Sequence, residues 1–169
     1  PHWLPHPVRF IGWMITRGEK LMRRLLPEHP FAGGVILGIL VVLISFLLPL
    51  GILFLCGKLN RWAALAVHAV MCYQILATRC LRDESMRVYR YLVKGDLPNA
   101  RKYLSWIVGR DTENLNEQQI ARAAVETVAE NTSDGVIAPM LFLAIGGAPL
   151  GFLYKAVNTL DSMIGYKND

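Results

Sequence analysis

An uncharged apolar stretch constrains the fold of this 169-residue chain more than any other feature. Residues 31–57 read FAGGVILGILVVLISFLLPLGILFLCG and contain no acidic or basic side chain. As a helix they would be about 40 Å long, which is enough for one tilted crossing of a bilayer. The stretch is too long, and too far from the amino terminus, for a cleavable signal sequence. We therefore predict a transmembrane helix over residues 31–57.

Two further apolar stretches are interrupted by polar residues. Residues 62–80 are close to the minimum spanning length and include His68, which is most simply explained as a hydrogen-bonded intramembrane residue. They form either a second transmembrane helix packed against other helices or a buried helix, and we favour the crossing. Residues 136–160 contain GGAP at 146–149 and the charged Lys155. This pattern predicts a broken or re-entrant membrane segment.

The composition indicates a membrane protein with a substantial water-facing part. The chain is 53% hydrophobic, which is high for a soluble domain, yet 18% of its residues are charged. Its 18 Lys and Arg outnumber 13 Asp and Glu, but they border apolar stretches and do not alternate with aromatics, so we expect no nucleic acid. A membrane surface or phosphate-bearing substrates are the expected partners. The three cysteines lack metal-site spacing and are expected to be buried thiols.

The basic residues predict the orientation in the membrane. Arg17, Lys20, Arg23 and Arg24 precede the first crossing, only Lys58 and Arg61 follow it, and seven Lys and Arg lie between positions 79 and 102. Because positive residues concentrate on the cytoplasmic side, residues 1–30 and 81–135 are expected to be cytoplasmic. The chain starts at Pro1 and stops just after a polar motif, so residues 161–169 are expected to begin a missing carboxy-terminal half.

Residues 81–135 are predicted to be helical, and the whole chain is predicted to be all-α because no strand pattern occurs. The expected helices cover about 79–93, 96–108 with Asp96 as N-cap, and 115–131 after a capping box formed by Asn114 and Glu117. The sequence TSDG at 132–135 predicts a turn after the last helix.

Three acids on that last helix are the first candidate site. Glu126, Glu130 and Asp134 lie four residues apart, with no basic residue between them and none after them until Lys155. Like charges at this spacing, near the negative end of a helix dipole, are locally unfavourable. One interpretation is a solvated polar face. The other is a site for Mg²⁺ beside nucleotide phosphates, in which the cation supplies the missing positive charge.

Two other motifs carry polar groups suited to phosphates or carboxylates. WIVGRDT at 106–112 offers Arg110 and Asp111 in a loop, where they either bind a ligand or merely pair with each other or cap the turn. YKAVNTLDS at 154–162 brings polar residues to the edge of the third apolar stretch, where they either face a ligand or reach out to the membrane interface. The residues concerned are Lys155, Asn158, Thr159, Asp161 and Ser162.

Five motifs together resemble one known family. PHWLPHPVR, LSWIVGRDT, AVETVAENTSDGVIAP, GGAPL and YKAVNTLDSMIGYKN occur in this order and span nearly the whole chain. They closely resemble the adenosylcobinamide-phosphate synthase family of cobalamin biosynthesis, a set of polytopic membrane proteins. The resemblance implies that this chain is the amino-terminal half of a multi-pass protein of the bacterial inner membrane, with a homo-oligomer as a candidate assembly.

The resemblance also implies an activity. It is an ATP-dependent amide ligation of adenosylcobyric acid to 1-aminopropan-2-ol or its O-phosphate, by way of an acyl phosphate. The corrinoid would be a substrate and not a prosthetic group, and Mg²⁺ would accompany ATP. No P-loop signature is present, so nucleotide binding would rest on other residues.

The roles implied for individual residues follow the matching motifs. Glu126, Glu130 and Asp134 would be Mg²⁺ ligands or the base that deprotonates the attacking ammonium, with help from Asp111 or Asp161. Arg110 and Lys155 would hold phosphate or stabilise the transferring phosphoryl group. Asn131, Asn158 and Thr159 would position amides and hydroxyls.

Two other classes of function compete with this interpretation. A broken apolar segment that carries a lysine is also how secondary transporters build midplane sites, so half of a transporter is one alternative. A membrane scaffold or sensor is another, in which the polar face from Arg122 to Glu130 would bind a partner helix.

Overall fold

The chain folds into helices joined by short loops in the computed structural model, which describes residues 7–76, 78–109 and 111–164. For residues 78–80 it describes the backbone alone. No strand occurs in these ranges, so the all-α prediction is confirmed for them. The α-helices are α1 Pro7–Leu25, α2 Pro30–Leu59, α3 Arg61–Ile75, α4 Thr78–Val93, α5 Leu97–Leu104, α6 Glu117–Thr132 and α7 Ala138–Ile164. A π-helical turn, Ser133–Ile137, joins α6 to α7. The chain divides into two compact units, Pro1–Leu76 with Pro139–Asp169, and Ala77–Ala138.

Helix α2 of the first unit buries one narrow face. Its buried residues recur every fourth position, which places them on a single stripe. They are Gly33, Leu37, Val41, Ser45 and Pro49. Leu37 and Val41 pack with Ile11 and Ile15 of α1 and with Ala156 of α7. At the start of α2, a Cβ on Gly33 would lie 3.3 Å from Cβ of Met22, so the glycine lets the two helices approach closely.

The remaining surface of α2 is apolar and exposed, which suits it to lipid. Pro30–Leu59 and the helical run Glu117–Ile164 are the two segments in the described ranges that are long and apolar enough to span a bilayer. Only 17% of the most apolar part of α2 is buried, whereas the core helix of a soluble protein is mostly buried. The predicted crossing at residues 31–57 therefore falls inside one continuous helix.

The second apolar stretch is shorter than the sequence predicts. Helix α3 ends at Ile75, Leu76 is extended with φ −81° and ψ 124°, and a new helix begins at Thr78. The prediction of one helix over residues 62–80 is therefore wrong at its carboxy-terminal end. At 15 residues α3 is about 22 Å long, less than the hydrocarbon thickness of a typical bilayer. That this stretch crosses a membrane stays a prediction.

The third apolar stretch is broken, as predicted. Gly146 and Gly147 leave the helical conformation within α7, with φ −145° and φ 65° respectively. The break frees the amide of Ala148, which donates a hydrogen bond of 3.0 Å to Nε2 of His68 on α3. The expected hydrogen-bonded role of His68 is therefore confirmed. The position of this stretch in a membrane stays a prediction.

Three helices form the second unit around a small core. Val88 of α4, Ala100 and Leu104 of α5, and Ile120 and Ala123 of α6 make up this core. The order of helices agrees with the sequence prediction, although α5 ends at Leu104, four residues earlier than predicted.

The caps of this unit explain where its helices begin. Asp96 caps α5 as predicted, and its hydrogen bonds from Asn99 hold the pKa of the carboxyl below its usual value. The capping box of α6 consists of Asn116 and Gln119, two residues later than the predicted pair. Both residue pairs are compatible with a capping box. In the structure, the Asn116 N–H donates to the side-chain oxygen of Gln119, which completes the capping box.

The turn predicted at residues 132–135 is wrong, because the chain stays helical there. The N–H of Ala138 bonds to the carbonyl of Ser133, five residues back, within the π-helical turn. Pro139 offers a physical reason, since it has no N–H for the Gly135 carbonyl and its ring would collide with that carbonyl in a regular α-helix. Widening the helix is one way to accommodate such a proline.

We predict that Gly147→Ala destabilises the protein by about 1–3 kcal/mol, because φ 65° and ψ −159° lie in a region that essentially only glycine occupies. An added Cβ would also lie 2.7 Å from Nε2 of His68. Gly34→Ala is the matched control, because nothing lies within 4 Å of a Cβ at that position. Thermal unfolding of the intact protein in detergent measures both. Equal midpoints for the two variants would contradict the described break.

Candidate functional site

The first of the three candidate acids has a basic partner. Oε1 of Glu126 accepts a hydrogen bond of 2.7 Å from Nε of Arg122, one helical turn earlier. This bond raises the pKa of the arginine. The prediction that all three acids lack a basic partner is therefore wrong for Glu126. Its partner, Arg122, lies before the cluster in the sequence. Both side chains are substantially exposed, so the pair contributes little to stability.

The other two acids are exposed and lack an ion pair within the part of the chain that the structure describes. Glu130 lies in the last turn of α6, and Asp134 lies in the π-helical turn that follows. In the described ranges, no group of three or more His, Cys, Asp or Glu side chains is positioned to hold a metal ion. Mg²⁺ is usually bound by one or two carboxylates, with waters and phosphates as the other ligands. That Glu130 and Asp134 bind Mg²⁺, with or without Glu126, stays a prediction.

Asn131 lies between these acids and turns its amide toward its own helix. Its Nδ2 donates a hydrogen bond of 2.9 Å to the carbonyl of Thr127. The next residue, Thr132, bonds in the same way to the carbonyl of Val128 at 2.6 Å. These side chains supply extra donors for backbone carbonyls just before the helix widens.

The loop before α6 is fixed by two long-range hydrogen bonds. Oγ1 of the buried Thr112 donates to the carbonyl of Arg101, and Nε of Arg101 donates to the carbonyl of Leu115. Asp111 is exposed and accepts a 2.9 Å hydrogen bond from the N–H of Glu113, which is the turn-capping role that the sequence left open. Its predicted partner in ligand binding, Arg110, lies outside the described residues.

The candidate residues of α7 belong to the first unit and differ in burial. Lys155 is only 8% exposed, so it does not reach out to the interface as a snorkelling lysine would. Thr159 is also buried and donates a 2.7 Å hydrogen bond to the carbonyl of Lys155. Asn158 is half-buried and Asp161 is exposed. A buried ammonium group is costly unless its surroundings compensate it. A role of Lys155 in binding phosphate stays a prediction.

The predicted site residues therefore fall into two groups. Asp111, Glu126, Glu130, Asn131 and Asp134 belong to the second unit, whereas Lys155, Asn158, Thr159 and Asp161 belong to the first. Within the second unit, the acids occupy successive turns of one helical rod. Within the first, Lys155 and Thr159 are one turn apart and joined by a hydrogen bond.

Sequence reasoning missed a basic cleft in the second unit. The cleft has a volume of about 330 Å³ and is lined by Arg87, Arg90, Tyr91, Lys94 and Tyr103. Four of these residues follow the spacing i, i+3, i+4, i+7, which places them on one face of a helix. That spacing is visible in the sequence, where the basic residues predict orientation. The contribution of Tyr103 to the cleft is not visible there.

Before any comparison with known proteins, the described residues indicate an all-helical protein. Its two long apolar helices suggest a membrane setting. The chain belongs to the CobD/CbiB family of cobalamin biosynthesis proteins, since the family model described as CobD/Cbib protein matches residues 1–169. The family expected from the five motifs is thus confirmed.

Individual relatives agree with this membership. The cobalamin biosynthesis protein CobD of Geobacter metallireducens is 55% identical over all of this chain and 53% of its own length. The CobD protein of Clostridium perfringens is 48% identical over 97% of this chain and 52% of its own length. The CbiB protein of Salmonella typhimurium is 48% identical over 99% of this chain and 53% of its own length. The chain spans about half the length of the curated relatives it matches, and no solved structure matches it.

Proposed function

We propose that the protein containing this chain is an ATP-dependent amide ligase of cobalamin biosynthesis. It would join a carboxylate of adenosylcobyric acid to the amine of 1-aminopropan-2-ol or its O-phosphate, as the motif resemblance implies. Membership of the CobD/CbiB family supports this proposal. The proposed location is the bacterial inner membrane, with several crossings and with the second unit on the cytoplasmic side, where ATP and Mg²⁺ are.

The observation that carries the proposal is the exposed acid pair at the π-helical turn. Glu130 and Asp134 have no ion pair in the described ranges, and π-helical turns are frequent at functional sites. The pair would hold Mg²⁺, which neutralises charge on nucleotide phosphates when it is bound. Glu126, oriented by its bond to Arg122, would be the base that takes a proton from the attacking ammonium.

The chemistry would proceed in two steps. A carboxylate oxygen of the corrinoid acid attacks the γ-phosphorus of ATP, and ADP leaves with the electrons of the broken bond. The neutral amine then attacks the acyl carbon, the amide C–N bond forms, and inorganic phosphate leaves with the original carboxylate oxygen and takes up the second amine proton. Lys155 and Arg110 would stabilise the phosphoryl group as it is transferred, by charge-assisted hydrogen bonds. Asn131, Asn158 and Thr159 would position amides and hydroxyls, with Asp111 and Asp161 as further ligand contacts.

One observation favours a second candidate function. The break at Gly146 and Gly147, in a helix that carries the buried Lys155, is also suited to the midplane site of a transporter. Such a transporter would move a corrinoid across the membrane without forming an amide.

A substrate-dependence assay separates these candidates. We expect the intact purified protein to consume ATP only when both the corrinoid acid and the aminoalcohol are present, with one amide formed per ATP. Comparing the free and the phosphorylated aminoalcohol in the same assay identifies the preferred amine. Corrinoid flux across vesicles without ATP, and with no amide product, would instead support the transporter.

We predict that Glu130→Gln and Asp134→Asn each lower the rate of amide formation by about a hundredfold and raise the Mg²⁺ concentration needed for half-maximal rate. Each substitution keeps the size of the side chain and removes its charge. Glu117→Gln is the matched control, because Glu117 is an exposed acid in the first turn of the same helix. A control as impaired as the two variants, or variants with unchanged Mg²⁺ dependence, would remove the pair from the site.

A further inference from the structure

The basic cleft of the second unit is built on one face of α4. Arg87, Arg90 and Tyr91 of α4 line it together with Lys94, in the turn that follows α4, and Tyr103 of α5. Val88, on another face of α4, is buried against Ala100 and Leu104. The core therefore fixes the two helices that form the cleft, and three cations line it.

The cations of the cleft are only partly compensated. Arg87 lies 3.4 Å from a carboxylate oxygen of Glu84 in an exposed pair, which is a weak interaction. Arg90 and Lys94 have no ion pair in the described part of the chain. Asp96 lies close enough to Lys94 for the lysine to contribute to its lowered pKa, although the hydrogen bonds from Asn99 are the larger cause. Three cations against the carboxylates of Glu84 and Asp96 leave the cleft with a surplus of positive charge.

Aromatic side chains give the cleft a rigid wall. The rings of Tyr91 and Tyr103 stack with centroids 4.9 Å apart and an angle of 11° between their planes. Trp106 packs edge-on against Tyr103, with centroids 4.8 Å apart. The side-chain hydrogen bond with Tyr103 is the main cause of the raised pKa of Tyr91. Tyrosine hydroxyls are protonated at neutral pH in any case and can donate hydrogen bonds. Two guanidinium groups, an ammonium group and phenolic donors together match the oxygens of a phosphate chain.

We propose that this cleft binds the phosphate chain of a nucleoside triphosphate. Its volume of about 330 Å³ is at the lower end for small-molecule sites and exceeds what a single inorganic ion requires. Three neighbouring cations suit several linked phosphates better than one. A lipid headgroup offers the same phosphate chemistry, but the concave shape favours a soluble ligand. The choice of ATP as the nucleotide rests on the proposed function, whereas binding of a phosphate chain does not.

Direct binding measurements test the site without any turnover. The intact protein, in an uncharged detergent and without corrinoid or aminoalcohol, is titrated with ATP, inorganic triphosphate and adenosine in turn. We expect ATP to bind, triphosphate to compete with it, and adenosine to compete at least a hundredfold more weakly, because it lacks phosphates. Adenosine that competes as well as triphosphate would overturn the proposal.

Charge-removing variants locate the binding. We expect Arg90→Gln and Lys94→Gln each to weaken ATP and triphosphate binding roughly tenfold, which is the scale of one lost charge-assisted hydrogen bond. Arg82→Gln is the matched control, since Arg82 is an exposed arginine of the same helix outside the cleft and its loss changes the net charge equally. Unchanged affinity in the double variant, with a normal thermal midpoint, would overturn the proposal.

A vesicle assay separates the two sources of phosphate. The same variants are tested for binding to vesicles of phosphatidylcholine with and without phosphatidylglycerol. We expect no loss of vesicle binding beyond that of Arg82→Gln. Loss confined to anionic vesicles, with nucleotide affinity unchanged, would assign the cleft to lipid and overturn the proposal. Because amide formation is not measured, failure of the ligase proposal would leave the triphosphate result intact.

Discussion

The hydrogen bond from the Ala148 N–H to Nε2 of His68 is the interaction on which the first unit depends. A helix broken within an apolar region exposes backbone groups that lipid cannot satisfy, and each costs several kcal/mol if it stays unpaired. His68 supplies the acceptor from a neighbouring helix. The contact requires a glycine at position 147, for space and for its backbone conformation. Beyond the break, Gly151 packs closely against Ile75 and Leu143, so α7 stays near α3.

The second unit follows a different principle, because its core is small and its charges point outward. Three short helices pack around a few apolar residues and present an acidic pair, Glu130 and Asp134, and a basic cleft on α4. Carboxylates suit a divalent cation and the cleft suits phosphates, and a metal–nucleotide ligand needs both kinds of group. The proposed nucleotide chemistry thus accounts for two features that packing alone leaves without a role. Neither feature contributes much stability, since exposed charges are well screened.

Much of the fold follows from sequence pattern, and its failures have specific physical causes. Continuous apolar composition predicts α2 well, and the N-cap role of Asp96 follows from local chemistry. The break at 146–149 follows from GGAP within an apolar stretch, and the hydrogen bond of His68 follows from the cost of an unpaired polar group in apolar surroundings. The π-helical turn is not predicted because the residues TSDG favour an ordinary turn. The effect of Pro139, which lies beyond them, is to widen the helix that precedes it. The basic cleft was missed because it needs Tyr103 of α5 beside α4, and no periodicity within one helix encodes that contact.

In the reaction that we propose for this member of the CobD/CbiB family, an acyl phosphate links ATP to amide formation. Following heavy oxygen from the carboxylate of adenosylcobyric acid tests it most directly. The intact protein is supplied with the labelled acid, ATP and the aminoalcohol, and the released inorganic phosphate is analysed by mass spectrometry. The account predicts that one heavy oxygen appears in each phosphate and the other stays in the amide. Unlabelled phosphate, or label recovered in AMP, would contradict it.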